Sequence, residues 1–291
     1  MFALVDCSRA RWVAILAAFL VGNGPVSLCW GENLFEQALS PEPSPILIDC
    51  KVEGATRQLL LDTGASLIAL EKAYEREKSD VEGRGRAPGG ASFAVATGRG
   101  PTIEIDRLTI ARPLCAFVDL PQGALGDDVI GLLGMDAQLA QAKLVFDPEK
   151  KSLRAHSGDW ELADSSEELE LLRDRDTPVF QTVILGRGLE MIVDSGSNLS
   201  LTLPDEVFEQ WVKEGVIHPL ETAIESHTVG GKVSLKVGVF LKGRLMDRDL
   251  RGTEVVVGRE LGSVGLPWLR KFHWELAFSE RKMRYLPVKE E

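Results

Sequence analysis

The sequence predicts an all-β protein made of two duplicated, barrel-like lobes with a cleft between them. Three observations carry that expectation. Short strand-like runs are punctuated by Gly, Pro and Asp, two breaks divide the chain, and a set of landmarks recurs in both halves at matched spacing.

The runs Ile46–Val52, Gln58–Leu61 and Val255–Val257 are β-branched or leucine-rich and bounded by turn residues, as strands are. The breaks are compositional. Residues 31–45 end in a proline-rich stretch and read as a linker, and residues 157–177 read as a second, interlobe linker. Within the latter, the acidic Ser165–Leu172 is compatible with a helix. The expected lobes are therefore 46–156 and 178–291. A chain of 291 residues, 44% hydrophobic and 26% charged, is long enough to give each a core.

The duplication is read from offsets. Pro45 opens a strand-like run that turns at Gly54 and ends in Leu60-Leu-Asp-Thr-Gly-Ala65. Pro178 opens another, which turns at Gly186 and ends in Ile192-Val-Asp-Ser-Gly-Ser197. From Pro45 to Asp62 is 17 positions and from Pro178 to Asp194 is 16. Leu132-Leu-Gly134 follows Asp62 by 72 positions, and Ser263-Val-Gly265 follows Asp194 by 71. Each half closes on a related tail, at Val145-Phe146 and Ala277-Phe278.

Before the first lobe, Arg9 and Arg11 precede an apolar run from Trp12 to Val21, broken at Gly22 to Pro25. Residues 1–30 therefore read as a signal peptide, and the protein as exported, secreted or periplasmic. Retention of the segment as an uncleaved anchor is the other outcome. Ten apolar residues fall short of the roughly 20 that span a bilayer. Export would permit a disulfide between Cys50 and Cys115; the spacing equally allows two separate buried thiols. The net charge of -11 argues against nucleic acid and anionic membrane as partners, because both need a basic patch.

The chemistry lies in the two aspartates. A lone Asp-Thr-Gly is an ordinary turn, but two such turns at equivalent points of a duplicated unit make a pair. Peptide hydrolysis without a metal needs one carboxylate to activate water and a second, protonated one to polarise the carbonyl. Thr63 and Ser195 supply hydroxyls that can brace the opposite loop, and Gly64 and Gly196 permit a tight turn. Ser197 can offer a hydroxyl to Asp194, where the matching Ala65 cannot. His156, His218, His227 and His273 form no metal-ligand spacing and read as surface or structural residues, so neither metal nor cofactor is expected.

Leu60-Leu-Asp-Thr-Gly-Ala-Ser66 with Gly131-Leu-Leu-Gly-Met-Asp136 resembles the retropepsin-like aspartic peptidases, bacterial members included. Ile192–Ser197 with Gly265-Leu-Pro-Trp-Leu-Arg-Lys-Phe272 is similar to the corresponding lobe of pepsin-like enzymes. The resemblance covers nearly everything from Ile46 to Leu286. It implies the acid protease fold, an endopeptidase acting on polypeptide, and Asp62 and Asp194 as the catalytic pair. Retropepsins need a homodimer to supply two aspartates, whereas this chain holds both, so a monomer suffices. Neither Tyr74 nor Tyr285 falls in a flap-like segment. The expected flap is Arg86–Phe93, with Gly89, Gly90 and Phe93 as substrate-binding candidates; Thr228–Lys232 is its counterpart. The alternative is a catalytically silent module of the same fold that binds peptide or protein.

Overall fold

The computed structural model describes residues 4–6, 32–41, 44–78, 83–86, 92–119, 126–136, 138–228, 231–258 and 260–289. The apolar run of the expected signal segment lies outside them, as do Gly89, Gly90 and the tip of the counterpart hairpin at Val229 and Gly230.

Each half is built around a strand that runs into an aspartate. In the first, Ala55–Leu61 pairs antiparallel with Leu47–Val52 and parallel with Val129–Leu133. Val129–Leu133 then meets Ile68–Glu71 antiparallel, and Ile68–Glu71 runs parallel to Leu114–Val118. The second half repeats the order. Arg187–Asp194 pairs with Val179–Ile184 and, in parallel, with Gly262–Gly265. Gly262–Gly265 meets Leu201–Leu203, which runs parallel to Glu254–Val257. Parallel neighbours require a long crossover. That is why each aspartate and its partner glycine are so far apart in sequence.

The central strands are buried on both faces, which explains why they read as unbroken apolar runs instead of alternating ones. Leu59 and Leu61 enter the main core, while Leu60 packs on the opposite face with Ala69, Ala116 and Leu132. The helix Asp205–Lys213 buries Val207, Phe208 and Trp211, and the Trp211 ring meets Phe240 edge-on at 5.8 Å. Its acidic first turn and basic last turn suit the helix dipole.

A six-stranded sheet joins the halves. Lys143–Asp147 pairs antiparallel with Phe272–Ala277, which places Phe146 opposite Trp274 with the rings stacked 5.2 Å apart. Each strand continues into a hairpin, with Ser152–His156 on one side and Lys282–Pro287 on the other. These hairpins are the duplicated tails.

Two stretches that read as connecting segments supply the outermost strands of this sheet. Asn33–Ala38 lies along Ser152–His156, and Glu167–Glu170 along Lys282–Pro287. The helix-compatible reading of Ser165–Leu172 is thus corrected to a strand. Glu168 accepts from Lys282 Nζ at 2.7 Å and from Arg284 Nε at 3.5 Å, so cross-strand charge pairs replace the contacts that a helix would have made along its own face.

Glu275 lies in the middle of the sheet and is fully buried. Its carboxylate accepts from the Glu161 and Leu162 amides at 2.8 and 2.9 Å, and its other oxygen lies 3.2 Å from His156 Nε2. His156 Nδ1 accepts from the Gly158 amide at 3.1 Å, so Nε2 carries the proton donated to Glu275. The interlobe segment is thereby tied to the sheet. Glu275→Ala leaves three donors without that acceptor, the buried His156 and the partly buried Glu161 and Leu162 amides. It is expected to destabilise the protein by about 3–5 kcal/mol in urea unfolding; a loss under about 1 kcal/mol would remove the argument.

Cys50 and Cys115 are both free, buried thiols, the second of the two arrangements that their spacing allowed. Burial pushes Cys50 up to about 11 and Cys115 up to about 12, so neither forms a thiolate near neutral pH.

Candidate active site

The two aspartate turns meet where the halves face each other. Each begins as its strand ends. The Ala65 amide turns back to the Asp62 carbonyl at 3.1 Å, and the Ser197 amide to the Asp194 carbonyl at 3.2 Å. The glycine-ended strands hold both turns from behind. Met135 donates to the Ala65 carbonyl at 2.8 Å, and Leu266 to the Ser197 carbonyl at 2.9 Å. A Cβ at Gly134 would sit 2.2 Å from the Leu67 carbonyl oxygen, and one at Gly265 would sit 1.9 Å from that of Leu199. Only glycine lets these backbones approach so closely.

Between the turns, hydrogen bonds cross. The Thr63 amide donates to Ser195 Oγ at 3.1 Å, and the Ser195 amide donates to Thr63 Oγ1 at 3.0 Å. Each hydroxyl then donates onward across the interface, Thr63 Oγ1 to the Val193 carbonyl at 2.6 Å and Ser195 Oγ to the Leu61 carbonyl at 3.0 Å. Both side chains are buried, and each hydroxyl accepts one bond and donates one. Their demands are met only by the other turn.

This lattice sets the carboxyl groups. A Cβ at Gly64 would lie 2.8 Å from Asp194 Cγ, and one at Gly196 would lie 2.5 Å from Asp62 Cγ. Each carboxyl group therefore packs against the glycine of the opposite turn. Asp62 is 3% exposed and Asp194 is 6% exposed, at the meeting point of two loops instead of on an open surface.

An aspartyl protease family model matches residues 48–137. This chain carries an aspartic peptidase unit of the retropepsin-like type. No curated protein matches the chain. The matched residues of the aspartic peptidase unit include Asp62, Thr63, Gly64 and Gly134; Asp194 and its turn lie beyond them and repeat their geometry. The family accounts for peptidase chemistry in general terms.

The structure brings together Asp62, Thr63, Gly64, Asp194, Ser195 and Gly196. Ser197, also buried, accepts from the Leu199 amide at 3.3 Å and so braces its own turn. Phe93 belongs to the strand Ser92–Arg99, paired with Gly83–Arg86 as a hairpin whose tip is outside the described residues. Among the described residues, no group of three His, Cys, Asp or Glu side chains could hold a metal ion. Sequence reasoning missed the Leu61 and Val193 carbonyls, which complete the crossed lattice, because a backbone acceptor leaves no mark in residue types. It also missed the buried bond of 2.8 Å between Thr202 and Ser263 behind Asp194. The matching Ala69 and Leu132 are apolar, so the duplication itself gave no signal there.

Proposed function

We propose that this protein is an aspartic endopeptidase in which Asp62 and Asp194 activate water to hydrolyse peptide bonds. The crossed lattice of Thr63 and Ser195 carries the reading. It holds two carboxyl groups on opposing turns, and that arrangement suits a shared proton, since neighbouring carboxylates resist ionising together. One carboxylate takes a proton from water as the oxygen attacks the peptide carbonyl carbon. The protonated partner gives its proton to the carbonyl oxygen. Collapse of the tetrahedral diol breaks the C–N bond, with a proton passing to the departing amine. Because both aspartates lie in one chain, a monomer would suffice, and the ligand is a polypeptide.

The pair works only with one proton on it. Cleavage of a denatured protein is therefore expected in mildly to strongly acidic buffer and lost as the second carboxyl ionises at higher pH. A hydroxyl-bearing transition-state mimic of the pepstatin type should suppress it. Binding of the same polypeptide without cleavage at any pH would favour the silent module instead.

A further inference from the structure

The duplicated hairpins provide an internal comparison. In the first half, Glu53 and Gly54 form the turn with φ of 52° and 80°; in the second, Leu185 and Gly186 form the same turn with φ of 51° and 80°. The first position favours Asn, Asp or Gly, and Leu is unsuited to it. Glu53 fits its surroundings as an exposed polar residue bound by Arg76 at 2.7 Å through both guanidinium contacts. Leu185 is 49% exposed. Two residues earlier, an exposed Lys51 in the first half is matched by Val183, which is 67% exposed. The second half thus places apolar side chains where the first has charged ones, at a conformational and a solvation cost.

Three cations stand near the turn. Leu185 Cδ1 lies 3.8 Å from where a Cβ at Gly243 would stand, so the turn abuts Leu241-Lys242-Gly243-Arg244. Leu241 is also 49% exposed. Lys242 and Arg244 are exposed, and Arg187 stands opposite Ile184 at the base of the turn and bonds to Gln210. Of the nearby acids, Asp247 is faced by Arg244 at 4.0 Å and Asp249 by Arg251 at 3.9 Å, while Glu214 accepts from Gln210, the side chain that Arg187 bonds, at 2.7 Å.

We propose that this tip is a docking surface for an anionic lipid bilayer. Val183, Leu185 and Leu241 enter the headgroup layer, and Arg187, Lys242 and Arg244 meet lipid phosphates. Apolar side chains beside cations at a hairpin turn suit that boundary. A stable protein interface, by contrast, buries about 800 Å² on each side, more than three side chains supply. The overall charge of -11 does not prevent docking, because salt limits its reach to about 8–10 Å. It turns the acidic remainder away from the bilayer. Asp194 ends the strand that begins at Arg187, roughly 23 Å along at about 3.3 Å per residue, so the aspartate turns stay clear of the lipid.

The test is co-sedimentation of the full chain with phosphatidylcholine vesicles, with and without roughly one-third phosphatidylglycerol. Wild type is expected to bind the anionic vesicles at least about tenfold more tightly, and to be released by high salt. A Val183→Thr/Leu185→Asn variant, which eases the turn, and a Lys242→Glu/Arg244→Glu variant should each lose about tenfold in binding. The amino-terminal segment is common to all three proteins, and cleavage of a soluble peptide should be unchanged. Equal binding to both vesicle types overturns the proposal, as does unaltered binding by the first variant. Concentration-dependent dimers abolished by that variant, without vesicle binding, would assign the tip to a second copy and overturn it too.

Discussion

Asp62→Asn and Asp194→Asn are each expected to lower kcat/KM by about 10²–10⁴-fold, with KM little changed. An amide has nearly the size of the carboxyl it replaces, so the packing against Gly196 and Gly64 survives. It can neither take a proton from water nor deliver one to the carbonyl. The two variants should fall by similar factors, because base and acid act in the same step and neither can serve as both. Thermal unfolding close to wild type would show that the fold is retained. If either folded variant kept a rate within about tenfold of wild type, the carboxyl pair would not be the catalytic one.

Gly196→Ala is expected to cost at least about 10²-fold in kcat/KM without replacing a reacting group. Its methyl would stand 2.5 Å from Asp62 Cγ, nearer than any real contact, so the two turns must part. Parting them lengthens the bonds that Thr63 and Ser195 make across the interface. A stability loss of about 1–3 kcal/mol in urea unfolding should accompany the loss of activity. Gly64→Ala should behave alike, since its methyl would meet Asp194 Cγ at 2.8 Å. Gly188→Ala is the control. It lies in the same strand as Asp194, has open space at its Cβ position, and should match wild type. Equal behaviour at positions 188 and 196 would show that the close approach does not set the site.

The duplication was legible because its marks are residues with few substitutes. Gly134 and Gly265 each sit where a Cβ would strike a carbonyl, and each aspartate turn needs its glycine against the opposing carboxyl. Such positions tolerate little change, so the offsets survive in sequence. Edge strands were illegible for the opposite reason. Glu167–Glu170 has the composition of a helix, and its partners Lys282 and Arg284 lie far along the chain. Its local preference is overruled by a long-range pairing that no window of sequence contains. Glu275 was hidden in the same way. A glutamate reads as surface unless its donors are known, and two of them are backbone amides from the interlobe segment. His156 was read only as surface or structural; its burial beside Glu275 places it among the latter.

The crossed hydroxyls have a consequence for when the paired aspartate site comes into being. Thr63 and Ser195 are 132 positions apart, and the strands closing each turn from behind finish at Leu133 and Gly265. Contacts of such separation form late in folding, after the loop entropy between them has been paid. During synthesis the first aspartate leaves the ribosome without its counterpart, its hydroxyl neighbour still bonded to water. Even the second aspartate waits for Gly265 and for the strand Phe272–Ala277 that joins the halves. A nascent or truncated chain therefore lacks the paired site, which assembles only once the strands of both halves have been made.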